Sequence, residues 1–398
     1  MVIVGAAACP LPSWNGSVSA DAREARQADI EGLSPAETER LGWDADKLDA
    51  AFDFAAQLSS DTLVVVTDGK VVRSLGDLER RYPLHSIRKV LLSSLIGQHL
   101  GDGPKRIDLE TTLEELGIDD DPGPLTPLQK QATVQHLMNG VSGINHAAAA
   151  EAGLTAEKTR RLGLTENEPG TKWAYNNWDH NALTTIFEAR TGLSVAEAFE
   201  EGFATPLLLQ DFSPEDVSYI EEPEISLHRA VSFSMSARDL ARFGMMFLGD
   251  GEIDGRRMLP AFWVDRIASD PVATGNDGLW AGYSHLWWVP ASDTGLPEGS
   301  FWALGLGHQA LMVIPAWQTV IVHQADMSKF FQRFIDKVQS EGIAPEKALE
   351  ALAIACLMPL ERESEFCREH RFILRKEFSR LIALIADARV AGAPGDAN

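Results

Sequence analysis

Strand-forming sequence lies towards both ends of this chain and helix-forming sequence fills the middle, and this arrangement restricts the architecture more than any other feature. Residues 62–67 (TLVVVT) and 70–74 (KVVRS) flank Asp68-Gly69, a pair suited to the left-handed turn of a two-residue hairpin. Much later, residues 282–289, 300–304, 309–314 and 319–323 are again short and rich in aromatic and β-branched residues, with 315–318 as the turn joining the last two. Between these groups, from about residue 83 to residue 259, apolar residues recur at helical spacing. The helices expected there cover 86–100, 108–116, 131–138, 178–190, 195–203 and 236–248, most closed by a nearby glycine. One more is expected over 47–58, and two or three from Lys329 onward. Early and late strands can share a sheet if the helical middle is set aside as an insertion. The expected fold is therefore α+β, an antiparallel sheet flanked by helices with an inserted all-helical domain. Residues 1–44 read as a tail or strap, 45–82 plus 265–398 as the sheet domain and 83–264 as the helical domain, with a cleft between the two.

Charge narrows the partners. A formal net charge of -23 and the lack of any Lys/Arg-rich run argue against nucleic acid and anionic membrane surfaces. No apolar run reaches the roughly 18 residues a membrane helix needs, so no transmembrane segment is expected. The start, Met1 to Cys9 (MVIVGAAAC), has two readings. It is a disordered terminus, or the end of a lipoprotein leader, which would place the protein in a periplasm or on a lipid anchor. Cys9, Cys356 and Cys367 form no C-x-x-C pair, and the last two stand too far apart for a bridge within one straight helix. Neither H-E-x-x-H nor G-x-S-x-G occurs and the histidines show no ligand spacing, so no metal and no cofactor are expected. Oligomeric state is left open.

Three short patterns are candidates for chemistry. Ser86-Ile87-Arg88-Lys89 fits S-x-x-K, which sets a hydroxyl and an amine on one helix face. A serine hydroxyl is a poor nucleophile until a base takes its proton. Lysine is that base only where burial or a neighbouring cation lowers its pKa. Val90, Leu91 and Leu92 offer burial, and Arg88 adds like charge if it points the same way. In Tyr175-Asn176-Asn177, a phenol near a lysine can relay a proton. The Asn177 amide can bind a substrate carbonyl and hold the lysine, and the residue also reads as the cap of the helix from Trp178. The third pattern, Gly305-Leu306-Gly307-His308-Gln309, enters a strand. Its glycines allow close backbone approach, and N–H groups there could form an oxyanion hole with the Ser86 N–H; a plain β-turn is the alternative. Trp173, Trp178, Trp287, Trp288 and Trp302 read as core or as the lining of an apolar site.

Together and in this order, the patterns resemble the serine β-lactamase-related family of class C β-lactamases, penicillin-binding proteins, esterases and 6-aminohexanoate-dimer-hydrolase-type members. Its signatures are S-x-x-K, Y-x-N and a K-T-G-like strand. Residues 137–143 (LMNGVSG), 169–177 (PGTKWAYNN) and 236–244 (SARDLARFG) resemble further segments of that family, and the likeness runs from about 45 to 326. The resemblance implies a β-lactamase/transpeptidase-like fold with its active site in the inter-domain cleft. It implies Ser86 as the acyl-enzyme nucleophile, with Lys89 and Tyr175 handling protons. Asn177, Gly307, His308 and Gln309 would be substrate-binding, and the strand beginning at Gln309 would line the cleft and supply the second oxyanion N–H. The partner would be a small-molecule ester, amide or lactam.

One departure bears on the substrate. Leu306-Gly307-His308 stands where the family carries K-T-G or H-G-G, so the cation that holds a β-lactam carboxylate is missing. This favours esters or small amides over β-lactamase or D-Ala-D-Ala-carboxypeptidase-like activity. His308 either replaces that cation or fills space. A penicillin-sensor-like protein that binds without turnover is the reading from another class, and fold alone does not separate it from an enzyme.

Overall fold

In the computed structural model, which describes residues 32–101, 103–151, 154–341, 372–390 and 392, the early and late strands meet in one sheet. β1 (Thr62–Thr67) and β2 (Lys70–Leu75) join through Asp68 and Gly69, both at positive φ (50° and 74°). These are the left-handed positions that a primed hairpin turn requires. Further strands, in chain order, are β3 (Arg81–Pro83), β4 (Val217–Ile220), β5 (Ala230–Ser236), β6 (Val272–Ala273), β7 (Gly282–Ser284), β8 (Trp287–Val289), β9 (Phe301–Gly305), β10 (Gln309–Ile314) and β11 (Thr319–Gln324). The large sheet has eight strands in the order β2-β1-β11-β10-β9-β8-β7-β6, and its neighbours pair antiparallel. β1 closes on β11 with Thr62 opposite Gln324 and Thr67 opposite Thr319.

Helices cover both faces of this sheet, which is why β1, β10 and β11 are buried at every residue. The helices that matter here are α1 (Ala45–Gln57), α2 (Arg88–Gln98), α3 (Asn177–Thr191), α4 (Ala237–Leu248), α5 (Ser328–Glu341) and α6 (Arg375–Asp387). Strand alternation puts Leu311, Val313, Val320 and Val322 on one face, against α4. Contact there is so close that a Cβ on Gly244 would lie 2.8 Å from both Leu311 and Val320. Trp302 and His323 face the other way and meet Phe378 of α6, at ring-centroid distances of 5.8 and 5.5 Å. α6 in turn packs against α1.

The structure corrects the sequence reading in several places. The stretch from 83 to 259 is not helical throughout: β3, β5 and β4 form a second, three-stranded sheet within it. Residues 108–116 form a helix only over Leu113–Leu116, because the backbone before it bonds elsewhere, Gln135 N to Leu109 O (2.8 Å) and Val134 N to Thr111 O (3.1 Å). The single strand expected over 282–289 is a hairpin, with His285 and Leu286 both at positive φ (49° and 70°). Two bonds from outside the hairpin hold that costly turn, His285 N to Asn139 Oδ1 and Leu286 N to Met138 O, each 2.9 Å. Of the C-terminal helices, α5 and α6 are observed, and the remainder of that reading falls outside the described residues, as do the three cysteines and Met1 to Cys9. Among the described residues no helix is long and apolar enough to cross a membrane.

The small sheet fixes the chain ahead of Ser86. β3 pairs with β5, and Leu84 N donates to Phe233 O (2.8 Å), so the backbone is pinned just before that serine. α2 begins at Arg88 and is buried on every face from there to Gly97. Leu91, Leu92, Leu95 and Ile96 are fully buried in it, and each such side chain contributes about 1.5–3 kcal/mol.

Candidate active site

Ser86 sits in the tight 3-10 turn His85–Ile87 that leads into α2, half-buried and facing a cleft of about 870 Å³. His85 holds a positive φ of 49°, a strained value for a residue with a Cβ, and the strain lies directly beside Ser86. One helical turn on, Lys89 is buried and its Nζ donates to Ser86 Oγ (3.1 Å) and to Asn177 Oδ1 (2.7 Å). Burial holds the Lys89 amine well below its ordinary pKa, with the Arg88 charge adding to the effect and Glu151 opposing it. Arg88 is buried too, and burial lowers it to about 10. Its guanidinium donates to His180 Nδ1 (2.9 Å), and burial, with Arg88 and Lys89 nearby, holds that imidazole well below its ordinary pKa.

Tyr175 completes the group. Lys89 Nζ lies 4.6 Å from its ring centroid, and burial raises the phenol to about 12 against the pull of a hydrogen bond with Ser86 and the charge of Arg88. The ring stacks on Trp288 at 5.6 Å, which fixes its plane. Asn177 is the first residue of α3, and its Nδ2 is taken up by the carbonyls of Ala150 (3.1 Å) and Glu151 (3.4 Å). It therefore ties Lys89 to the 150–151 loop. The helix cap is its neighbour Asn176, whose Oδ1 accepts from Trp178 N (3.0 Å), a correction to the sequence reading. Ser86, Lys89, Tyr175 and Asn177 are thus brought together. Strand β9 closes the other side of the cleft, and a Cβ on Gly305 would sit 2.4 Å from Leu84 O. Gly305→Ala is accordingly expected to push β9 off the Ser86 turn and to lower kcat/KM, by up to about 10²-fold for a displacement near 1 Å. Activity within twofold of wild type in a folded variant would contradict that.

A family model described as Beta-lactamase matches residues 45–326. The chain belongs to the β-lactamase family. It is 25% identical over 266 residues to the 6-aminohexanoate-dimer hydrolase of Paenarthrobacter ureafaciens, a match covering 61% of this chain. The chain spans 65% of that relative and 61% of a second curated relative from Alkalihalophilus pseudofirmus. The fold is similar to that of an octameric penicillin-binding protein homologue from Pyrococcus abyssi (TM-score 0.54, 18% identity, 77% of this chain and 79% of the other). It is similar also to that of EstCE1, a hydrolase with promiscuous acyltransferase activity (TM-score 0.52, 13% identity, 73% and 94%).

In this member of the β-lactamase family the third motif is a hairpin turn between β9 and β10, and the cleft is lined by residues 304–308. Gly307 and His308 line the cleft. Gln309 does not line the cleft: it pairs with Gly305 in the ladder and its side-chain amide donates to Ala325 O (2.8 Å). Nor does His308 replace the missing cation. It is buried between the rings of Phe378 (5.0 Å) and Phe372 (6.2 Å), and burial, with His323 beside it, lowers it to about 3. Of the five tryptophans, Trp173 and Trp288 line the cleft, while Trp178, Trp287 and Trp302 are core. Sequence reasoning passed over Glu151, a cleft carboxylate paired with Lys158 at 3.0 Å and raised by burial. Its only signal was being the one charge in the alanine-rich run 147–152.

Proposed function

We propose that this hydrolase cleaves an ester or small amide through an acyl-enzyme on Ser86. The observation that carries the reading is the buried Lys89 amine, 3.1 Å from Ser86 Oγ and held by Asn177. Neutral Lys89 takes the Ser86 proton as Oγ attacks the substrate carbonyl carbon. The resulting oxyanion is met by the Ser86 N–H and the backbone of the 305–307 turn. The Tyr175 hydroxyl gives its proton to the departing oxygen or nitrogen and recovers one from Lys89. Water then attacks the acyl-enzyme by the same route in reverse, releasing the acid and restoring Ser86.

This proton transfer sets the sign of the pH dependence. Only the neutral amine accepts a proton, so kcat/KM rises as pH climbs through the Lys89 pKa, and that rise falls well below the ordinary lysine value of 10.5. Tyr175, near 12, remains a proton donor across this range. A profile of p-nitrophenyl butyrate hydrolysis whose rise is centred at the ordinary lysine value would contradict the assignment.

Esters should be preferred to β-lactams. No cation lies on the hairpin at 304–308 to meet a β-lactam carboxylate, and a hydrogen bond to a charged group is worth about 1.5–3 kcal/mol. Side-by-side kcat/KM for p-nitrophenyl butyrate and nitrocefin tests this, with the ester expected to be well ahead at every pH from 5.5 to 8.5. Faster nitrocefin hydrolysis would overturn the preference. Stoichiometric labelling by either compound without turnover would favour a binding protein instead.

A further inference from the structure

We infer that Arg375 forms an anion-binding end of the cleft, and that the substrate is an ester or amide bearing a carboxylate remote from the scissile bond. This rests on the Ser86 reading and deepens it. Arg375 opens α6, beyond the residues 45–326 that the family model covers, yet it lines the same cleft as Ser86.

Among the described residues, the other two arginines lining this cleft are already engaged. Arg88 is turned to His180. Arg161 is held by Glu157 (2.6 Å), Thr274 O (2.5 Å) and Asn276 Oδ1 (3.1 Å). Arg375 differs. One face of its guanidinium rests on Trp280, 3.8 Å from the ring centroid, which sets its plane. Among the described residues its nearest carboxylate is that of Asp277, at 4.0 Å and fully exposed, and its guanidinium makes no hydrogen bond. A planar fork with fixed orientation and free N–H donors at a cleft wall suits bidentate binding of a carboxylate.

The segment is anchored so that this position is reproducible. Phe372 and Phe378, on either side of Arg375, both pack on His308, and Phe378 also stacks on Trp302. The turn that lacks the family's cation thus docks, through His308, the segment that brings a charge in. A row of contacts separates the two ends of the cleft: Tyr175 on Trp288 (5.6 Å), Trp288 on Trp173 (5.7 Å) and Arg161 over Trp173 (4.7 Å), with Arg375 within the electrostatic reach of Arg161. The proposed substrate accordingly carries its carboxylate several bonds from the carbonyl at Ser86.

The test compares mono-p-nitrophenyl adipate with its methyl ester, which share an acyl chain and differ in the terminal charge. A protein of net charge -23 repels the anion in general, so a preference for it requires a local cation. Wild type is expected to favour the free acid. Arg375→Gln is expected to lower the acid-to-methyl-ester ratio of kcat/KM by about tenfold or more, the scale of one charge-assisted hydrogen bond, with partial recovery in Arg375→Lys. A ratio unaffected by Arg375→Gln overturns the inference. If neither ester is turned over and Ser86 takes no label, the Ser86 reading fails instead, and calorimetric titration with adipate still decides Arg375. Binding weakened about tenfold or more in Arg375→Gln supports it, and equal or absent binding overturns it.

Discussion

Alanine at position 86 is expected to bring p-nitrophenyl butyrate hydrolysis to the uncatalysed background, a loss on the order of 10⁴–10⁶-fold, with the fold intact. Ser86 is the only serine in the chain with a lysine three residues on, so no neighbour can take over its role. Its hydroxyl is half-buried, and Lys89 keeps its bond to Asn177 Oδ1 when the hydroxyl is removed. No buried charge is stranded, so the thermal midpoint should stay near that of wild type. Ester hydrolysis persisting in Ser86→Ala would place the nucleophile elsewhere.

Lys89→Ala and Tyr175→Phe are each expected to lower kcat/KM by about 10²–10⁴-fold, the contribution of a positioned acid–base group. Lys89 touches both Ser86 and the Tyr175 ring, at 3.1 Å from Ser86 Oγ and 4.6 Å from the ring centroid. In the proposed mechanism the two residues pass one proton between them, and so act as a unit. The double variant should therefore be far less impaired than the product of the single losses. Measuring kcat/KM for the two single variants and the double variant settles the point. Full multiplicativity would mean that the residues serve separate steps.

Much of this arrangement is legible in the sequence because it is local. The S-x-x-K spacing already puts Ser86 and Lys89 within one helical turn, and Asp68-Gly69 has the left-handed positions its hairpin uses. Where the determinants are distant, the reading fails. The His285-Leu286 turn contains no glycine and exists because Asn139 and Met138 bond its backbone. β5 carries a period-two burial pattern in AVSFSMS, but its partners β3 and β4 are short and far apart in the chain. His308 has the composition of a substitute cation, and the rings of Phe372 and Phe378, brought from the C-terminal segment, make it a neutral packing residue. Arg375 gave no signal at all, because nothing in its own neighbourhood marks it as facing a cleft built by residues 85–331.

The most direct measurement for the Ser86 acyl-enzyme is labelling with a p-nitrophenyl phosphonate ester, which transfers its phosphonyl group irreversibly to an activated hydroxyl. Intact-protein mass and peptide mapping are expected to find one phosphonyl group, on the peptide containing Ser86, in step with complete loss of esterase activity and absent from Ser86→Ala. Full loss of activity with the label on any other residue, or full labelling of Ser86 with activity retained, would contradict the account.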